Sequence, residues 1–132
     1  MRRLWLLVTI FTLMCAPLRA QIDEEEEVTE AMYVSMHPHF LTNLAESRRF
    51  VQMKAQTLVS NPDTEAALKL HMPAIRHGIL MRISLLTSEE LRNAETKQLF
   101  LSDSLAIMKK TLEDHGAAAD VEGFFITHLI VQ

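Results

Sequence analysis

The residues best suited to chemistry are His37 and His39, one on each side of Pro38. In an extended chain positions i and i+2 share a face, so both imidazoles could approach one zinc or copper ion. A third ligand would have to come from elsewhere in the chain, from His71, His77 or His128. The plainer reading is favoured: two polar side chains at a bend in an edge strand, where a proline is tolerated. The 8 methionines raise a soft-metal reading in the same way. Met1 and Met14 belong to the N-terminal run, however, and Met53, Met72 and Met108 fall on apolar faces, where methionine fills core space. Arg76 and Arg82 flank an apolar helical stripe. They suit a partner's carboxylates, or more simply they lie along the stripe with their charged heads in water.

Other chemistries lack their residues. Gly78, Gly116 and Gly123 are too scattered to form a phosphate-cradling loop. There is no GxSxG or HExxH pattern, and the single cysteine, Cys15, leaves no thiol pair. No spacing ties the serines, histidines and aspartates into a triad. No catalytic, cofactor-binding or metal-binding residue is assigned, and neither an enzyme nor a cofactor is expected.

The elements that would position these side chains begin after residue 30. The N-terminus has Arg2 and Arg3, an apolar run from Leu4 to Ala16, and then Pro17-Leu18-Arg19-Ala20. That layout is a secretory signal with cleavage after Ala20. The run would rise about 20 Å as a helix, short of the roughly 30 Å of hydrocarbon in a bilayer. A tilted, uncleaved anchor is the main alternative. A lipoprotein at Cys15 is disfavoured by the bulky Met14 before it. Residues 1–20 are thus a signal peptide or short N-terminal anchor, and residues 21–31, with Glu24-Glu25-Glu26-Glu27, are a self-repelling acidic tether. Residues 32–132 form the folded domain. Without residues 1–20 the chain keeps 10 basic and 17 acidic side chains, a net charge of −7. Such a surface repels phosphate backbones, so no nucleic-acid partner is expected.

Tyr33 to Leu44 reads as extended, Ser47-Arg48-Arg49 as a turn, and Phe50 to Val59 as a strand with alternate residues Val51, Met53, Ala55, Thr57 and Val59 buried. Asn61-Pro62-Asp63 opens a helix, with Leu68, Met72, Ile75, Ile79 and Ile83 on one stripe, and Pro73 kinks or divides it near Met72. Thr87 and Glu90 have capping-box spacing. A further helix places Leu101, Leu105, Met108 and Leu112 inward and closes at Gly116. The last segment, Val121 to Gln132, is apolar on both alternating faces and reads as a well-buried strand flanked by other elements. The expected fold class is α+β, a small antiparallel or mixed sheet with packed helices in the order β-β-α-α-α-β.

These segments resemble the FliL family of flagellar basal body-associated proteins. The resemblance is carried by Tyr33, Pro38, Phe40, Asn43 and Leu44, by Arg49-Phe50-Val51, by Pro73-Ala74-Ile75-Arg76 with Ile79-Leu80 and Ile83-Ser84, and by Glu90-Leu91. The ending completes it, from Val121 through Phe124-Phe125 to Ile130-Val131-Gln132. It implies a stomatin/prohibitin-like (SPFH-like) domain without enzymatic activity, at the periplasmic side of the bacterial inner membrane. It also implies flagellar stator proteins of the MotA/MotB type and other basal body components as partners, a homo-oligomeric ring, and a role in flagellar rotation, motility and chemotaxis. The family usually has a full-length membrane anchor. Here the segment is short, so either the domain is released and recruited by partner contacts or the anchor is unconventional. The alternative reading is a non-flagellar stomatin-like periplasmic scaffold or binding module.

Cleavage after Ala20 has a direct check. Intact-mass measurement of the purified protein should give a chain beginning at Gln21, and a mass beginning at Met1 contradicts it.

Overall fold

The computed structural model describes residues 31–132. The expected signal and most of the acidic tether lie outside the described residues. Strand β3 (Phe50–Val59) is the axis of the domain, and its alternation does what the sequence predicts: Val51, Met53, Ala55, Thr57 and Val59 are all buried. Strands β1 (Met32–Ser35) and β2 (Phe40–Asn43) pair antiparallel with the two halves of β3, Met32 opposite Val59 and Phe40 opposite Met53. The C-terminal strand β4 (Val121–Val131) runs antiparallel along the whole of β3. Both β1 and β2 therefore occupy the opposite edge, end to end. Every pairing in the sheet is antiparallel.

The extended segment from Tyr33 to Leu44 is thus two strands, because Met36–His39 stand opposite only Lys54 and Ala55. Two surplus residues bulge out there, at the cis His37–Pro38 bond, and Met36 still donates its backbone N–H to Ala55 O at 3.0 Å. The β2–β3 turn contains Arg48 at φ 64°, the left-handed region that a tight reversal demands.

Four helices cover one face of the sheet. Helix α1 (Pro62–Leu70) starts where expected, with Asn61 Oδ1 accepting from Thr64 N at 2.7 Å. The chain breaks at His71, and α2 (Met72–Ser84) begins with Pro73 in its first turn, where the missing N–H costs nothing. Leu68, Ile75, Ile79 and Ile83 are fully buried, while Met72 is half-buried at the junction. The short α3 (Ser88–Arg92) carries the full capping box of Thr87 and Glu90. Its first amide, Ser88 N, is held at 2.8 Å by the distant carboxylate of Glu46. Helix α4 (Ala94–Asp114) is capped by Asn93 and ends in a Schellman motif: Gly116 at φ 65°, Ala117 N on Leu112 O, and Gly116 N on Glu113 O.

Three expectations are corrected. The element order is β-β-β-α-α-α-α-β, because the first extended segment and the first helix each divide at a proline-bearing break. The buried line of α4 is Phe100, Ser104, Met108 and Leu112, with Leu101 and Leu105 only half-buried at its side. Ser104 faces the core without a hydrogen-bond partner for its hydroxyl, so an apolar-only pattern passes over it. β4 also differs from the expectation. It pairs with β3 alone among the described residues, and only Val121 and Phe124 are fully buried. Among the described residues no second layer packs on its other face.

The core closes where α2 and α4 cross. A Cβ added to Gly78 would stand 2.6 Å from Ile107 Cγ2, closer than non-bonded carbons tolerate. The absent side chain sets the helix separation. Phe100 of α4 meets Phe124 of β4 edge to face at 6.3 Å, joining helix layer to sheet.

Replacing Gly78 by Ala brings two opposed effects: overpacking of about 1–3 kcal/mol and a helix-propensity gain of about 1 kcal/mol. In the wild-type background the change should not stabilise the fold. In an Ile107→Ala background, with the obstructing methyl gone, it should stabilise by about 1 kcal/mol. Denaturant unfolding of the four proteins reads out the change of sign.

Candidate functional site

The candidate metal ligands are not gathered. His37 and His39 sit in the bulge between β1 and β2, both exposed, with ring centroids 5.9 Å apart. His71, at the α1–α2 junction, lies against His115 beyond the end of α4, at 4.3 Å between centroids. His77 is an exposed residue of α2. Of the three proposed third donors only His128 is near, on β4 opposite Lys54 of β3. Among the described residues no group of three or more His, Cys, Asp or Glu is arranged to hold an ion. Desolvation, then the positive charge of Lys54, then His37, His128 and Arg76 lower the pKa of His39 below the ordinary 6.5. The pair lies at the bend between β1 and β2.

Sequence reasoning left Arg76 without a partner, and the structure supplies one within the chain. Its guanidinium donates to the carbonyl oxygens of Pro38 and His39 and lies 4.4 Å above the centre of the Phe40 ring. Helix α2 is thereby bolted to the bulge, and the two carbonyls freed from the ladder are satisfied. Arg82 is likewise engaged, donating from Nε to Asp103 Oδ2 of α4 at 2.7 Å. Both arginines thus have a partner within the chain. The partners are backbone oxygens and a residue on another helix, which no local pattern announces.

The sheet face turned away from the helices is the surface that remains. Register places Tyr33, Leu58 and Phe125 at one end, Lys54 and His128 in the middle, and Leu41, Phe50 and Ile130 at the other. Tyr33 and Leu41 are each 63% exposed, and Phe125 is 43% exposed. Phe125 lies back over Gly123, where a Cβ would meet its ring at 2.7 Å, and approaches Tyr33 with 6.1 Å between centroids. The glycine makes room for this small aromatic roof over Leu58. No ladder-paired position of the face is acidic, and Glu122 stands in the bulge at one corner.

A second feature is a shallow groove between the outer edge of β4 and the first half of α4. It is lined by Lys97, Gln98, Leu101, Phe125, Ile126 and His128, among others, with about 510 Å³ of space. It is open and holds no convergent set of acids or bases. Among the described residues no helix is long and apolar enough to cross a membrane.

What the described residues define is a small α+β domain, an antiparallel sheet with helices on one face. Comparison with protein-family models matches residues 33–132 to the family described as flagellar basal body-associated protein FliL. The match spans the whole described domain except its first two residues, and the chain belongs to that family. Comparison with curated proteins gives no match.

Arg76→Met should destabilise the domain by about 1–3 kcal/mol, from the lost charge-assisted hydrogen bonds and the stacking on Phe40. Arg76→Lys should recover only part, since an ammonium cannot span two carbonyls as a planar fork does. Equal stability of all three proteins in denaturant unfolding contradicts the clamp.

Proposed function

We propose that this protein is a non-enzymatic accessory of the flagellar basal body that associates with stator proteins of the MotA/MotB type and supports rotation, motility and chemotaxis. The observation that carries this reading is the family match over residues 33–132, nearly the whole folded domain. The domain would work at the periplasmic side of the inner membrane, after export through residues 1–20 as a signal or short anchor, with residues 21–31 as its tether. Its fold would be of the stomatin/prohibitin (SPFH-like) kind. Its role is mechanical: rigid protein–protein contacts, repeated around a homo-oligomeric ring, multiply individually weak interfaces through effective concentration.

The surface chemistry is compatible with that role. A face of Tyr33, Leu41, Phe50 and Phe125 beside an all-helical opposite side offers apolar anchors of the type that dominate protein interfaces. No step of bond making is required of any residue.

Deleting the gene should reduce swimming or swarming most strongly under viscous load, with flagella still assembled, and the protein should co-purify from membranes with stator subunits. Unchanged motility under load, together with no stator subunit in the purified complex, would refute the reading in favour of a non-flagellar scaffold.

A further inference from the structure

The outer edge of β4 offers backbone groups that nothing among the described residues takes up. Phe50 and Gln132 exchange both of their main-chain hydrogen bonds, at 2.8 and 3.0 Å. Bonded pairs alternate with unbonded ones along an antiparallel ladder, so Gln52–Ile130 and Lys54–His128 are bonded pairs too. Leu129 and Val131 therefore turn their N–H and C=O groups away from β3. Among the described residues no other strand pairs with β4.

The helical layer stops short of this edge. Leu129 and Val131 lie on the helix-facing side of the sheet, opposite the fully buried Met53 and Val51, yet both are only half-buried. Ile126 and, on α4, Leu101 are half-buried in the same way. The groove of about 510 Å³ lies between them. An extended chain laid beside β4 meets the outward backbone groups and sends alternate side chains into that groove. Strand addition of this kind takes its affinity from the ladder and its selectivity from the pockets. The run is short. Thr127 is surplus between the pairs Lys54–His128 and Ala55–Ile126, and this bulge interrupts the ladder beyond His128.

Charge selects the occupant. Lys97 lines the groove half-buried, and among the described residues it has no ion-pair partner. Its neighbours three and four positions away are Asn93, Ala94, Phe100 and Leu101, none of them acidic. The groove lining contains no carboxylate either. An incoming acid would meet an ammonium without a counter-charge, in a setting less exposed to water than the open surface. A second copy of β4 suits the groove poorly, because its one acid, Glu122, stands outside the lining.

We infer that the β4 edge and the groove beside α4 accept a short extended segment of a partner protein. The segment pairs with Leu129 and Val131, lays apolar side chains over Leu101 and Ile126, and places a carboxylate at Lys97. This inference does not rest on the flagellar reading, because it specifies only the chemistry of the segment.

Two blocked heptapeptides of alternating valine and threonine, one with glutamate and one with lysine at the central position, test it by titration into the isotopically labelled full-length protein. In the free protein the amides of Leu129 and Val131 should exchange with solvent faster than those of His128 and Ile130. The glutamate peptide should slow them, with resonance shifts centred on Leu129, Val131, Lys97 and Leu101. It should also bind several-fold more tightly than the lysine peptide. Lys97→Glu, an acid near the start of a helix where the dipole favours it, should reverse that order. Binding of neither peptide, shifts centred on Tyr33 and Leu41 of the open sheet face, or an order unchanged by Lys97→Glu would overturn the proposal. Protection of Leu129 and Val131 in the free protein would overturn it too, and a dimeric mass in sedimentation would then assign the edge to a second copy.

Discussion

The domain depends on the inward row of β3. Val51, Met53, Ala55, Thr57 and Val59 are buried beneath the helices on a strand whose two edges are both paired over most of its length. Among the described residues no other strand is paired on both sides, and β1, β2 and β4 are joined only through it. Burying a large aliphatic side chain contributes about 1.5–3 kcal/mol, so a single polar group in this row would offset a sizeable share of a small domain's stability. Thr57 is the polar exception. Its hydroxyl donates to Gly123 O at 2.7 Å, beside the bulge where β4 shifts register, so the sheet's irregularity and its one buried inward hydroxyl satisfy each other.

Around this axis the polar side chains hold junctions. Asp120 gathers the end of the last connector onto the β3–α1 corner, accepting from Asn61 Nδ2 at 2.6 Å and, at its carbonyl, from Ser60. Glu46 reaches from the β2–β3 turn to the start of α3, and its hydrogen bonds with Ser88 lower its pKa. Glu90 is lowered in the same way by Thr87. Both carboxylates contribute stability that is complete above the ordinary 4.5 and lost as the pH falls through their depressed folded values.

What was legible in the sequence was local. The period of two in β3, the caps at Asn61 and Thr87, the break near Met72 and the left-handed Gly116 all depend on neighbours within a few residues. So does the proline bend that carries His37 and His39. What was not legible depends on where distant segments meet. An apolar run such as Phe124 to Val131 has the same pattern whether a second layer covers it or its far face stays open, and here it stays open. Met108 and Leu112 of the α4 stripe were placed correctly, but its first half was misplaced by one residue because Ser104 occupies a core position that hydropathy assigns to the surface. Arg76 could be placed beside the stripe, but its partners are backbone oxygens 37 and 38 residues away. The basic centre of the open face comes from Lys54 and His128, brought together only by the β3–β4 register.

The two rims of the sheet are unequal. Along β1 and β2 the outer backbone is thrown out of line by four residues standing against two, one of them a proline with no N–H to give. A regular foreign strand cannot continue across that break. The other rim, β4, contains no proline. Annealing of strands between molecules is thus confined to one side, where two copies would meet about a two-fold axis and saturate each other. The architecture forbids the endless stacking that an evenly pleated sheet invites, and a closed circle of more than two subunits has to be built from helix faces or from the broad surface of the sheet.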